Sequence, residues 1–394
     1  MSYNDLSDLR NKLADLDEVT LIELLELDTD DIPSDYNENQ LSECTLPADS
    51  LPHLQKIHVL RSGLTSATLK NLLEAAPSVQ KLELLSCRSL RGSFLLKPAS
   101  LKQLLVLDLT NSISIKSKSI KQILNAAPNL ISCNLDGYHK IDLADLEAYA
   151  LNNIQSLNLS SCTVSDESLS LLLKRASQLK VLNIANTEFT NFPELSPNSL
   201  LQLETIKGVT DAIPFNFKKT KFPATMLKTL LQAAPNLTRL DLHHFDPLSK
   251  FLDLLPGSLP KLKLVEFNNN ISPDIMSELF AAAPYLEKFT LEIPEFTSPL
   301  KIDPNSLLTL TEISIKATSK KISSDLLSSL LNATPHLKEI RLDQTTIEPT
   351  QFQLGIGCLK NLTTLSLSNN SNINPIIAQL LLASPNLSNL KIIY

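Results

Sequence analysis

Apolar residues recur along the chain in a short pattern, L-x-x-L-x-L. Its second apolar position, which we call the anchor, returns every 24–27 residues apart from one step of 34. Such alternation over a few residues is typical of a short strand that buries every second side chain. The pattern predicts strands at fourteen anchors: Ile57, Leu82, Leu107, Cys133, Leu157, Leu182, Ile206, Leu240, Val265, Phe289, Ile313, Ile340, Leu365 and Leu390.

A second period of about 50 residues distinguishes alternate repeats. In every second repeat the segment between strands is an amphipathic stretch that ends near Ala-Ala-Pro; at 67–76, Leu69, Leu72 and Leu73 share one helical face. Such stretches predict short helices, with N-caps at Ser272 and Asn374, each followed by Pro. The remaining repeats carry a Pro-x-Ser-Leu connection, which predicts an irregular return at 98–101, 197–200, 256–259 and 304–307.

One strand with one return segment cannot bury its own apolar edge, whereas stacked neighbours bury a continuous one in a parallel sheet. We therefore expect an α/β solenoid of 14–15 repeats of about 25 residues over 20–394, where Ile22-x-x-Leu25-x-Leu27 is the fifteenth copy. Leucines at helical spacing predict an acidic helical cap over 1–19. The long step of 34 predicts an insertion at 207–222.

Two of the copies end in cysteine, Val79-x-x-Leu82-x-Leu84-x-x-Cys87 and Ile154-x-x-Leu157-x-Leu159-x-x-Cys162. They resemble the leucine-rich repeat, in its cysteine-containing, ribonuclease-inhibitor-like variety. The resemblance implies a curved horseshoe, with strands on the concave face, helices on the convex face, and binding of proteins as the usual role. Tyr138, Phe245 and Pro294 depart from the ladder position of this motif, which predicts irregular curvature near each of them.

The scarcity of glycine (7 residues), the abundance of Asn, Ser and Lys, and a polar start at 1–10 also resemble a group of bacterial effectors. These are leucine-rich-repeat effectors that intracellular Gram-negative pathogens, Legionella among them, inject into host cells. The resemblance implies a role in virulence through a host protein. It also implies a cytoplasmic protein, or one secreted into a host cell without a cleavable signal peptide. An alternative is the substrate-recognition subunit of a ubiquitin ligase, since this repeat type accompanies F-box segments; residues 1–50 contain no recognisable F-box.

Charge, hydropathy and cysteine content restrict the kinds of partner and the cellular compartment that we expect. Residues 1–50 hold 14 Asp or Glu against Arg10 and Lys12, a net charge of −12, so the rest carries −7 − (−12) = +5. An overall charge of −7 disfavours nucleic acid. No apolar run is long enough for a membrane span. Five cysteines, an odd number, argue against a disulfide framework and favour a reducing compartment.

No group of residues predicts catalysis, a metal site or a cofactor site. Cys87 and Cys162 occupy the ladder position and Cys133 replaces a core leucine, so burial explains all three. His243 and His244 are adjacent on a strand, and neighbouring strand residues point to opposite faces, so the pair cannot readily chelate one ion. We therefore expect a non-catalytic protein that binds a protein partner.

Two surfaces are candidates for that partner. The first is the concave face, where residues between buried strand positions are expected to be exposed; a face that is merely solvated is the alternative. The second is the insertion, where aromatic and cationic residues have the composition of an interface hot spot; the alternative is that its Phe residues pack back onto the solenoid. The candidate residues are Glu83, Asp108, Asn134, Asn158, Asn183 and Asp241 on the face, and Phe215, Phe217, Lys218, Lys219 and Lys221 in the insertion.

The last strand pattern runs up to Tyr394 without a polar closing segment. An uncovered edge strand is prone to pair with another chain. We expect either that the chain is truncated or that its last repeat is covered by a partner or a symmetry mate.

Overall fold

The computed structural model describes most of the chain from residue 46 onwards. The described ranges are 46–61, 64–138, 141–143, 145–187, 194–208, 224–242, 252–267, 272–292, 300–316, 321–347, 352–370 and 374–393. The chain divides into two compact units, Met1–Glu194 and Leu195–Tyr394. The predicted cap at 1–19, Phe245, Pro294, Tyr394 and the insertion beyond residue 208 lie outside the described residues.

The first unit carries one parallel sheet whose strands are neighbours in chain order. Each described pair of strands aligns its anchors: Ile57 opposes Leu82, and Leu157 opposes Leu182. The strands are β1 (Lys56–Leu60), β2 (Lys81–Leu85), β3 (Val106–Asp108), β4 (Ser132–Asn134), β5 (Ser156–Asn158) and β6 (Val181–Asn183). The helices described in this unit are α1 (Ser66–Ala75), α2 (Ser117–Ala126) and α3 (Asp166–Arg175).

The second unit repeats this arrangement with eight parallel strands, again with anchors in register, as for Phe289 and Ile313. These strands are β7 (Thr205–Lys207), β8 (Arg239–Leu242), β9 (Leu264–Phe267), β10 (Lys288–Glu292), β11 (Glu312–Lys316), β13 (Glu339–Asp343), β15 (Thr364–Ser368) and β16 (Asn389–Ile393). Two short strands, β12 (Lys321–Ile322) and β14 (Thr346–Ile347), pair separately. The described helices are α4 (Ala224–Ala233), α5 (Pro273–Ala282), α6 (Ser324–Asn332) and α7 (Asn374–Ala383).

The repeat spacing predicts this core correctly. Thirteen of the fourteen anchors are at most 2% exposed; the exception is Leu390, at 44%. Helices follow alternate strands, and irregular connections follow the others. The predicted α/β class, a parallel sheet with short helices alternating with irregular connections, is confirmed. Within the described residues, no helix is both long and apolar enough to cross a membrane.

Local sequence signals explain where the helices start. The Ser272 hydroxyl accepts a hydrogen bond from the Ile275 backbone N–H (3.4 Å), and Pro273 occupies the first turn, as the pattern predicts. Thr65 and Ser165 cap α1 and α3 in the same way. These hydroxyls satisfy backbone donors that have no partner within the helix.

The Pro-x-Ser-Leu connections donate hydrogen bonds to backbone carbonyls at the C-terminal ends of the helices. Ala99, with φ of 55°, donates its N–H to the carbonyl of Asn125 in α2 (2.9 Å), and Leu101 donates to that of Ala126 (2.8 Å). Each connection therefore caps the helix of the following repeat. The equivalent donors are Asp49 and Leu51 for α1, Asn198 and Leu200 for α4, Gly257 and Leu259 for α5, Asn305 and Leu307 for α6, and Gly357 and Leu359 for α7.

A ladder of side-chain hydrogen bonds lies five residues after the anchors. At five of the described positions the side chain donates to a backbone carbonyl of the preceding repeat, as the Ser112 hydroxyl does to Leu84 (2.6 Å) and the Cys162 thiol to Leu135 (3.0 Å). Cysteine, serine, threonine and asparagine all perform this role, which is why the position is variable in sequence. The remaining donor–acceptor pairs are Cys87 to Val59, Thr187 to Leu159 and Asn370 to Leu342.

Tyr138 occupies the ladder position without making the bond. Its side chain is buried, and its hydroxyl has no hydrogen-bond partner. Burial raises the pKa of this phenol well above its usual range. Tyr138 is therefore the one described ladder residue that carries an unsatisfied polar group into the core.

We expect Tyr138→Phe to raise the free energy of unfolding by about 1–2 kcal/mol, because it removes a buried hydroxyl that has no partner. The shift in the urea midpoint of the first unit measures this effect. Tyr149→Phe is the matched control: the Tyr149 hydroxyl donates to the carbonyl of Asn125 (2.8 Å), so its loss is expected to destabilise the chain. If the Tyr138→Phe protein is less stable than the parent, the hydroxyl of Tyr138 does have a partner, and the prediction is wrong.

Candidate functional site

The strand face of the first unit consists of the side chains on β1–β6 that point away from the core. Glu83, Asp108, Asn134 and Asn158 lie on it, half-buried, on four successive strands. Asn183 belongs to the same row but is only 3% exposed, so the prediction that it is exposed is wrong. Strand alternation sets the side of the sheet on which a residue lies, but exposure also depends on the surrounding chain.

The Asp and Asn side chains of this row hold the turns that follow the strands. The carboxylate of Asp108 accepts from the N–H of Thr110 (2.9 Å), and the amide oxygen of Asn134 accepts from that of Asp136 (3.1 Å). Asn158 and Asn183 accept in the same way from the residue two positions later. This is the local Asx geometry, in which a short polar side chain satisfies a turn donor.

The turns place a left-handed residue three positions after each of these side chains. The φ angles are 56° at Asn111, 81° at Gly137, 56° at Ser161 and 52° at Asn186. The backbone N–H of Asn111 donates to the carbonyl of Asp136 in the next repeat (2.8 Å), which continues the ladder beyond the strand. The row therefore has a structural role that strand alternation alone does not reveal; its sequence signal is Asn or Asp at the end of the strand.

Glu83 is the centre of an ion cluster across β1 and β2. Its carboxylate lies 2.6 Å from Lys81 Nζ, 2.8 Å from His58 Nδ1 and 3.7 Å from Lys56 Nζ. Burial opposes ionisation of this carboxyl, but hydrogen bonds from Lys81 and His58 outweigh it and lower the pKa of Glu83. Glu83 is therefore an anion whose charge is compensated within the protein.

Opposite charges also meet across neighbouring strands of the second unit. Arg239 Nη2 lies 2.6 Å from a carboxylate oxygen of Glu266. Asp241, on the same strand as Arg239, is only 3% exposed, which corrects the prediction that it is exposed. Two further pairs lie on β10 and β11, on either side of the hydroxyls of Thr290 and Ser314: Lys288 with Glu312 (2.8 Å), and Lys316 with Glu292 (2.7 Å).

Beyond residue 208, the second candidate surface, the insertion, lies outside the described residues. Lys207 ends β7 and is half-buried, whereas Phe215, Phe217, Lys218, Lys219 and Lys221 all lie outside the described residues. The structure brings Glu83, Asp108, Asn134 and Asn158 together on one sheet face; it leaves the insertion as a prediction.

Three of the four described cysteines, Cys87, Cys133 and Cys162, are buried in the core. Burial raises the pKa of Cys133 to about 12, with a further contribution from Asp108. Burial likewise raises the pKa of Cys162 well above its usual range. A thiol in this state is not a nucleophile at neutral pH. Among the described residues, no group of three or more His, Cys, Asp or Glu side chains is placed to hold a metal ion.

We expect iodoacetamide at pH 8 to leave Cys87, Cys133 and Cys162 unmodified in the folded protein, because all three are buried. Cys358 is partly exposed and is the internal positive control, and all four are expected to react in 6 M guanidinium. Peptide mass spectrometry measures the modified fraction. Rapid labelling of Cys133 in the native state contradicts its assignment to the core.

Comparison with known proteins identifies the family. The model described as "At1g61320/AtMIF1, LRR domain" matches residues 37–250, more than half of the chain. No curated protein matches. Similar solved structures include a leucine-rich-repeat protein of Leptospira interrogans (20% identity, 98% of each chain covered, TM-score 0.44). They also include the internalin InlF of Listeria monocytogenes (15% identity, 90% of this chain and 87% of that chain covered, TM-score 0.47). The chain belongs to the leucine-rich-repeat family, in the group described as At1g61320/AtMIF1, LRR domain.

Proposed function

We propose that the chain is a non-catalytic scaffold that binds a protein partner through its strand faces and the segment 207–222. Leucine-rich-repeat domains typically bind proteins and usually lack catalytic activity. The observation that carries the proposal is the row of polar side chains across successive strands of the first unit, from Glu83 to Asn158. Such a row gives an extended surface whose side chains are already held in place, which lowers the entropic cost of binding.

The face of β3–β5 is the part best suited to close contact with a partner. Its outward side chains are short: Ser132 and Ser156 lie beside Asn134 and Asn158, and all four are half-buried. A backbone or a flat side chain of the partner is able to approach such a surface closely. The ion cluster around Glu83 lies at one side of this area and adds polar groups that are already compensated.

The finer assignment is a translocated bacterial effector that binds a host protein in the host cytoplasm. Its support is compositional: little glycine, abundant Asn, Ser and Lys, and a polar N-terminal sequence. We assign the repeats to the cysteine-containing type, and the buried thiols of Cys87 and Cys162 at the ladder position support that assignment.

The strand face is tested by adding bulk to it. We expect Ser132→Arg with Ser156→Arg to abolish capture of a partner from host-cell lysate, because two long cations then fill the short-side-chain surface. Leu95→Arg is the matched control, since Leu95 is 64% exposed and lies on a connection. Quantitative mass spectrometry of the captured proteins, with circular dichroism to confirm folding, is the measurement. If the double variant retains every partner captured by the control, the face is not the binding site.

The insertion is tested separately with Phe215→Ala and Phe217→Ala in one protein. We expect at least about a tenfold loss of the same partner, because aromatic anchors dominate interface energies. Unchanged capture contradicts a role for the insertion while leaving the strand face in place. Recovery of ubiquitin-ligase subunits as the main captured proteins favours the alternative function over the effector.

A further inference from the structure

The repeats of β2 and β3 carry a high concentration of positive charge. Residues 84–135, all of which the structure describes, contain seven Lys or Arg and one acidic residue, Asp108, a net charge of +6. The whole chain has a net charge of −7. Asp108 is already engaged, because its carboxylate accepts hydrogen bonds from the N–H and hydroxyl of Thr110 and from the amide of Asn134. These two repeats therefore contain no other carboxylate to balance their cations.

Hydrogen bonds between the repeats hold the connections after β2 and β3 together. The Ser114 hydroxyl donates to the carbonyl of Arg88 (2.6 Å). The carbonyl of Gly92 accepts from Ser119 in the first turn of α2 (3.3 Å) and from Ser66 in the first turn of α1 (3.0 Å). The connection after β2 therefore lies against the N-terminal turns of both helices.

This packing gathers cations beyond the carboxyl ends of the first three strands. Each of them is exposed, and none forms an ion pair within the described residues. They differ in this from Lys56 and Lys81 on the strand face, which share the carboxylate of Glu83. We call this surface the basic edge; it consists of Arg61, Arg88, Arg91, Lys116 and Lys118.

The start of α2 adds to the positive charge of the basic edge. Its N-cap is Lys116, which makes no capping hydrogen bond through its side chain, and its first turn contains no acidic residue. In α3, α5 and α6, by contrast, a serine caps the helix and the first turn carries one or two carboxylates. Cations at a helix N-terminus face the positive end of the helix dipole and destabilise the helix. The arrangement therefore opposes stability, and a bound anion relieves it.

Two apolar side chains are exposed within the basic edge. Leu60, the neighbour of Arg61, is 48% exposed, and Ile113 is 50% exposed. Ile113 lies six residues after its anchor, the position that Arg88 occupies in the preceding repeat. A ligand that matches this surface therefore carries apolar side chains as well as negative charge.

Building on the proposed function, on which this inference rests, we propose that the protein partner binds the basic edge through an acidic segment in which carboxylates alternate with apolar side chains. Arginine pairs with a carboxylate through two parallel hydrogen bonds, and it is enriched among the residues that dominate interface energies. A net charge of −12 in residues 1–50 opposes a nucleic acid, whose charge density exceeds that of an acidic peptide. The apolar side chains of the segment contact Leu60 and Ile113.

Fluorescence anisotropy with a labelled peptide of repeating Glu-Glu-Leu tests the basic edge. We expect the parent to bind this peptide, more weakly as salt is added, and not to bind the same peptide with Gln in place of Glu. Arg88→Glu with Lys116→Glu is expected to weaken binding at least about tenfold, because it sets like charges against the peptide.

The matched control is Lys338→Glu with Lys360→Glu, an equal change of charge at two exposed residues of the second unit. It is expected to weaken peptide binding less than about twofold, since screening limits the effect of distant charges. Circular dichroism confirms that both double variants fold. A parent that does not bind the peptide, or equal losses in the two double variants, overturns the proposal.

Other occupants of the basic edge give distinct results. Tighter binding of phosphatidylserine vesicles or of single-stranded RNA than of the peptide overturns the proposal in favour of a membrane or a nucleic acid. Residues 1–50 of the chain are a third source of carboxylates. We expect Asp28→Asn, Asp30→Asn and Asp31→Asn in one protein to leave the peptide affinity unchanged. A gain of about tenfold shows that the chain's own acidic residues compete for the edge, and it overturns binding of a partner there.

Comparison with the strand-face variant separates this inference from the proposed function. We expect Arg88→Glu with Lys116→Glu to lose both the peptide and the partner that Ser132→Arg with Ser156→Arg loses. If the charge-reversed protein retains that partner, the proposed function stands and the basic edge takes no part in it. If the parent captures no partner but binds the peptide at the basic edge, the proposed function fails and the edge stands as a site for acidic peptides.

Discussion

Phe289→Ala is expected to lower the free energy of unfolding of the second unit by about 3–5 kcal/mol. Phe289 is the anchor of β10 and is 1% exposed. Its ring lies edge-to-face against Phe267, with centroids 5.5 Å apart, and against Phe280, at 5.1 Å. Truncation therefore removes a buried aromatic side chain and both ring contacts.

The loss is expected to be local, because each repeat of a solenoid contacts only its neighbours. Hydrogen exchange is expected to accelerate most in β9, β10 and β11, with β1–β3 unchanged. Urea unfolding followed by circular dichroism measures the free energy. Leu308→Ala is the control, since Leu308 is 55% exposed and its truncation is expected to cost less than about 0.5 kcal/mol. If the two substitutions lower the free energy of unfolding equally, the aromatic contacts of Phe289 do not stabilise the second unit as predicted.

Asn370→Ala is expected to lower the free energy of unfolding by about 2–4 kcal/mol, since it leaves two buried backbone groups without partners. The Asn370 amide donates to the carbonyl of Leu342 (2.9 Å) and accepts from the N–H of Thr345 (2.8 Å). It also accepts from the Thr345 hydroxyl, and Thr345 is 0% exposed.

The ladder supplies a matched rescue for this substitution. Ser112 performs both tasks with one hydroxyl, which donates to Leu84 (2.6 Å) and accepts from the N–H of Cys87 (2.9 Å). Asn370→Ser is therefore expected to retain both backbone bonds and to cost less than about 1 kcal/mol. The difference between the two variants in urea unfolding isolates the hydrogen bonds from the change in volume. Equal losses show that the ladder bonds contribute nothing at this position.

The strands and helices were predictable because their signal is periodic and local. The spacing of Ile57, Leu82 and their equivalents gives the strand register directly, since each anchor opposes the next. The Ser272-Pro273 start of α5 follows from capping preferences within three residues. The helix-capping role of Pro-x-Ser-Leu was not predictable in the same way, because its hydrogen bonds reach a helix in the following repeat, as from Ala99 to Asn125.

For the candidate site, the sequence predicted which side of the sheet carries it, but not the contacts or the exposure of its individual residues. The position of Glu83 on the strand face followed from alternation, but its compensation by His58 depends on a strand 25 residues away. Asn183 and Asp241 were expected to be exposed and are buried. The insertion that contains Phe215 and Phe217 remains a prediction, because its side chains lie outside the described residues.

The sequence by itself determined that leucine anchors recur at about 25 residues, and hence that the chain builds stacked strands in a parallel sheet. Burial of an apolar side chain in every repeat is the largest favourable contribution to the free energy of folding, and the spacing of these side chains can be read from the sequence. The tertiary structure alone decided which polar groups meet, as in the ion cluster at Glu83, and which buried polar group is left without a partner, as at the hydroxyl of Tyr138. Hydrogen bonds and ion pairs depend on distances of a few ångström between residues that lie far apart in the chain, which the repeat period does not specify.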